Sequence, residues 1–102
     1  MKERYKTKLL VNKKPVDLNP FVEEYLARIS VGIVTSLKGI DYVRSIEIHH
    51  EHDDVIVEVN GEVVSLTLFP VKIIANTLLG LVSALKGIDE LKSLHVSVEA
   101  SE

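Results

Sequence analysis

Cysteine, tryptophan and glutamine are absent from this chain, and methionine occurs once. Without cysteine there is no thiol catalysis, no disulfide and no cysteine-ligated metal. Aromatic residues are scarce: Tyr5, Phe21, Tyr25, Tyr42 and Phe69 make 5% of the chain. Too few of them fall on strand-like segments to build a base-stacking platform. Five glycines are present, and none joins a strand to a helix in phosphate-binding order. No serine sits in a nucleophile elbow. The most apolar stretch, Ile73 to Leu85, is bounded by Lys72 and Lys86 and is too short to span a bilayer. The N-terminus is charged, with no apolar run behind it, so the expectation is a cytoplasmic protein without a secretory signal. Abundant Val, Ile, Lys and Glu alongside the missing glutamine lean towards a thermophile.

What is present is an internal repeat. Residues 11–54 and 59–102 align 48 positions apart without a gap, and fifteen of the 44 pairs are identical. Val11-Asn12 returns as Val59-Asn60, Phe21 as Phe69, and Leu37-Lys38-Gly39-Ile40-Asp41 as Leu85-Lys86-Gly87-Ile88-Asp89. A repeat of this length is one supersecondary unit that cannot bury its apolar face alone. The 102 residues, 46% apolar and 26% charged, therefore read as one domain, 1–102, made of two like halves, about 5–54 and 55–102, related by a pseudo-twofold axis.

Each half reads strand, turn, strand, helix, strand. Asn60-Gly61 between apolar runs is the strongest short hairpin signal, since both residues accept positive φ. It supports the weaker hairpin around Asn12-Lys13-Lys14 through the alignment. Asn19-Pro20 starts the first helix, Asn as cap and Pro at the first helical position. The second helix starts near Thr67, with Pro70 in its first turn. Gly39 and Gly87 end the two helices, with Ile40 and Ile88 folded back. The third strands are Arg44–Glu51 and Lys92–Glu99, with inward sets Ile46, Ile48, His50 and Leu94, Val96, Val98. The fold expected is α+β: a two-layer sandwich from a tandem ββαβ repeat, with a mostly antiparallel six-stranded sheet and two helices on one face.

At 100° per residue, Val22, Leu26, Ile29, Ile33, Leu37 and Ile40 share one helical face, and Pro70, Ile74, Thr77, Leu81, Leu85 and Ile88 the equivalent one. These faces are expected on the sheet. Val31, Val34, Val71, Leu78, Leu79 and Val82 then remain as a surplus apolar stripe, which marks an interface. A homodimer, or a hetero-complex with another protein, is the partner expected. Gly32 and Gly80 lie at equivalent mid-helix positions, followed by Ser36 and Ala84. A mid-helix glycine costs about 1 kcal/mol against alanine, so these four residues are expected at a helix seam of close backbone approach.

The chemically provocative string is His49-His50-Glu51-His52-Asp53-Asp54. On a strand His50 and His52 share a face, and with His49 and a carboxylate they are candidate ligands for a divalent metal. Against this, the string runs into a turn, and only Glu51 is retained in the repeat, as Glu99. His95 aligns with Glu47 and joins His49 only if the two third strands lie side by side. Residues 1–14 carry six basic residues against Glu3, a local +5, which leaves −8 on the remainder of a chain of net charge −3. Such an arm can contact nucleic acid, although lysines placed against edge aggregation explain it more simply. No catalytic residue and no organic cofactor is expected. The reading is a non-enzymatic assembly or binding module acting through protein–protein contacts. Its alternatives are metal binding at 49–54 and nucleic-acid binding through the basic arm.

Overall fold

A single sheet carries both hairpins and both third strands. The computed structural model describes residues 4–37, 42–51, 54–66, 68–85 and 90–101, excepting the side chains of Arg4, Leu68, Phe69 and Ser101. Along the chain run β1 (Arg4–Val11), β2 (Lys14–Val16), α1 (Pro20–Thr35), β3 (Ser45–Glu51), β4 (Asp54–Val59), β5 (Glu62–Val64), α2 (Leu68–Ser83) and β6 (Ser93–Ser101). The strands pair antiparallel throughout in the order β2-β1-β6-β3-β4-β5. Both helices cover the same face, and the molecule is a plate of 36 × 33 × 18 Å.

Local chemistry accounts for the turns. Asn12 and Lys13 (φ 53° and 69°), like Asn60 and Gly61 (φ 54° and 85°), carry the two successive positive φ values of a tight hairpin turn whose twist matches the strands. Each asparagine also clasps the chain entering a third strand of the other half. Asn60 Oδ1 accepts from the amides of Arg44 and Ser45 at 2.7 and 3.1 Å, and its Nδ2 donates to the Tyr42 carbonyl at 2.7 Å. Asn12 does the same with Lys92, Ser93 and Glu90 at 2.6, 3.0 and 2.6 Å. Asn19 caps α1, its Oδ1 accepting from the Val22 amide at 2.8 Å. The helices end at Thr35 and Ser83, and the expected glycine caps at Gly39 and Gly87 lie outside the described residues.

Several element bounds and strand pairings coincide at a spacing of 48 residues. The bounds of α2 are those of α1 plus 48. Leu9 pairs with Val96 and Val16, while Val57 pairs with Ile48 and Val64, the same partners 48 residues away. At the centre, Ile48 pairs with Val96, its own counterpart, as β3 lies against β6.

Leu9, Val11, Ile46, Ile48, Val57, Val59, Leu94, Val96 and Val98 form the inward side of the sheet and are buried, with His50 half-buried. Over them pack Leu26, Ala27, Ser30 and Val34 of α1 and Ile74, Leu78 and Val82 of α2. This corrects the helical phase. The core-facing stripe is rotated by about 70° from the expected one. Val34, Leu78 and Val82, expected at an interface, are 0% exposed. Val31, Val71 and Leu79 are half-buried, with Val31 packed against the core. Thr77, expected inward, is exposed. Phe21 is 73% exposed on the far side of α1, its ring stacked on Tyr25. Its counterpart Phe69 has no described side chain. Both helices carry apolar residues over more than half their circumference, so periodicity alone leaves the phase open, and the sheet beneath selects the face that fills it.

The helix seam is also corrected. Gly32 and Gly80 are exposed, and a Cβ built on either meets no heavy atom of the described residues within 4 Å. Ser36 and Ala84 are likewise exposed. The Ser36 hydroxyl is turned back onto its own helix, donating to the Ile33 carbonyl at 2.6 Å. These four residues mark no close approach of two backbones.

Candidate functional site

With both helices on one face, the other face of the sheet carries the side chains that alternate away from the core. The pairing registers arrange them in rows across the strands. One row runs Pro15, Leu10, His95, His49, Ile56; the next runs Lys8, Ser97, Glu47, Glu58, Val63. Under the 48-residue offset each row maps onto the other, end for end.

The centre of this face holds four polar side chains. His49 and His95 are directly paired, and their rings stack with centroids 4.1 Å apart and planes 15° from parallel. His95 Nε2 lies 2.6 Å from Glu47 Oε1. The other carboxylate oxygen, Oε2, accepts from the Ser97 hydroxyl at 2.8 Å. Glu47 is thus held at both oxygens. One ligand atom from each of Glu47, His49 and His95 lies within 4.8 Å of the others, and all three residues are half-buried. Glu47 directly opposes Glu58 on β4, a like-charge pair that is destabilising unless a cation is near. A groove of about 490 Å³ runs from this cluster past Lys8, Leu10 and Pro15 and round the edge of β1 to Glu23. Glu23 there caps the strand where β2 has ended, its Oε2 accepting from the Thr7 amide at 3.2 Å.

Of the expected histidines, the structure places His49 and His50 on opposite faces of the sheet. They are successive on β3, so His49 points to the open face and His50 towards the core, its Nδ1 buried without a partner among the described residues. His52 lies outside the described residues. Among the described residues, the group brought within ligating distance is His49 with His95 and Glu47. The signal was present in the repeat, since His95 aligns with Glu47, but it becomes a site only because β3 and β6 are neighbours.

Of the basic arm, residues 1–3 lie outside the described residues. Lys6 and Lys8 sit on β1, which is paired with β6 and β2, and Lys6 opposes Glu99 across the strands. Among the described residues no helix is long and apolar enough to cross a membrane. No protein-family description, curated protein or solved structure matches this chain.

Proposed function

We propose that the chain is a non-enzymatic binding module whose ligand is a divalent transition-metal ion held by Glu47, His49 and His95. The observation that carries this is the convergence of two imidazoles and one carboxylate within 4.8 Å on an otherwise uncovered face. Two nitrogens and one oxygen suit zinc, nickel or cobalt, and leave further positions for water or a second ligand. Ser97 orients the carboxylate from outside, as the second shell of a metal site does, and the Glu47/Glu58 opposition favours a cation there. Binding is preferred to catalysis because the donors stand on an open sheet face where, among the described residues, no second layer covers them to exclude water. The body that presents them is read as a duplicated ββαβ unit with a pseudo-twofold axis passing between Ile48 and Val96. On that reading 47 and 95, like 49 and 97, are equivalent positions that have diverged to Glu/His and His/Ser.

Titration of tag-free protein with zinc or cobalt tests the reading. One equivalent per chain is expected, abolished by His49→Ala with His95→Ala and kept in His50→Ala with His52→Ala. Loss in the second pair and retention in the first would return the metal to the 49–54 string. Binding weakens in acid because both imidazoles must be unprotonated to ligate.

A further inference from the structure

We infer that the open sheet face is a self-association surface, on which two copies stack about a twofold axis parallel to the strands. The molecule is 18 Å thin and its helices cover one broad face. The opposite face carries Ile56 at 48% and Val63 at 68% exposure beside charged residues of both signs.

The order of residues in the rows selects the partner and the geometry. A twofold interface requires that if residue i meets residue j, then j meets i. With the axis parallel to the strands and central between β6 and β3, each row meets its own copy reversed. Leu10 on β1 then faces the partner's Ile56 on β4, apolar against apolar. Lys8 on β1 faces the partner's Glu58 on β4, opposite charges. His95 faces the partner's His49. Turning the axis across the strands instead sets one row against the other, so that Leu10 meets Lys8 and Ile56 meets Glu58, which buries charge against hydrocarbon. Of these two stackings, the first is the self-complementary one in both rows. Within one chain Lys8 cannot neutralise Glu58, because β6 and β3 lie between their strands. Stacked sheets sit about 10 Å apart, within reach of a lysine against a glutamate.

Five inter-strand spacings of about 4.8 Å and strands of roughly 20 Å give a face of about 500 Å² per copy. The total, about 1,000 Å², is at the low end for a specific interface, so the dimer is reversible. This stacking uses Lys8, Glu58, Leu10 and Ile56 and does not rest on the metal.

Sedimentation in EDTA, with metal removed, tests it by charge exchange. Wild type should be in monomer–dimer equilibrium. Lys8→Glu alone and Glu58→Lys alone should each weaken association by roughly tenfold or more. The double variant Lys8→Glu/Glu58→Lys should dimerise like wild type. Mixing the two single variants should give a heterodimer, because both cross-interface pairs are then of opposite sign. Circular dichroism and thermal melts establish that each variant is folded. A wild type that stays monomeric at several hundred micromolar, or a double variant no better than the singles, overturns the inference. The first outcome would assign the face to a different protein. Metal binding measured on the same samples decides the metal reading separately.

Discussion

Replacing Asn60 by alanine removes more than a surface side chain. Three hydrogen bonds go: two from the amides of Arg44 and Ser45 and one to the Tyr42 carbonyl. Exposed bonds sit at the low end of the usual range, about 0.5–0.8 kcal/mol each, because water replaces them. Asn60 also has φ 54°, a conformation that costs alanine about 1–2 kcal/mol. Together the substitution should cost about 2–4 kcal/mol. For a domain near 100 residues each kcal/mol moves Tm by about 4–8 °C, so a fall of more than about 8 °C is expected, with a matching drop in the urea midpoint at unchanged slope. Asn60→Gly separates the contributions: it loses the bonds but adopts positive φ freely, and should be milder than alanine by about 1 kcal/mol. Asn12→Ala should cost the same as Asn60→Ala within about 1 kcal/mol, since its three bonds and its φ of 53° are equivalent. Shifts below about 0.5 kcal/mol for both alanine variants would refute the view that these clasps fix how each hairpin seats on the third strand of the other half.

Four further outcomes are expected from urea or thermal unfolding. Gly80→Ala and Gly32→Ala should each stabilise by about 1 kcal/mol, since the added methyl meets open space and alanine is the better helix former; destabilisation would reinstate a close helix seam. Leu78→Ala should cost about 2–5 kcal/mol, as for a fully buried leucine, and leave the association state of the folded protein unchanged; altered association with intact stability would return Leu78 to an interface. Lys13→Gly should gain about 0.5–1 kcal/mol, because its φ of 69° strains a side-chain-bearing residue; a loss would contradict the turn geometry. Ser30→Ala should gain about 1 kcal/mol by removing a buried hydroxyl that has no partner among the described residues; a loss of more than that would mean the hydroxyl is bonded.

Much of the local structure was legible in residue order. Asn60-Gly61 announces its hairpin because few residues tolerate two positive φ values in succession, and Asn19-Pro20 announces its helix because each residue satisfies a different need of a first turn. Strand faces were readable too: Ile46, Ile48, Leu94, Val96 and Val98 alternate inward as expected, since a period of two leaves only two choices. Helix faces were not. Val34, Leu78 and Val82 were expected outward, because two apolar stripes about 70° apart fit the same 3.6-residue period. His49-His50 was misleading for a related reason: adjacency in sequence on a strand means opposite faces in space.

The sequence by itself therefore determined the elements, their hairpin turns and the inward side of the two third strands, which depend largely on forces between residues near in the chain. Only the tertiary structure decided which stripe of each helix is core, because that depends on the shape of the surface beneath it. Only strand order decided that His95 should lie beside His49, because residues 46 apart in the chain meet when β6 is placed between β1 and β3. Cross-strand neighbours are chosen by the packing of the whole sheet, and a site made of such neighbours exists only once that packing is complete.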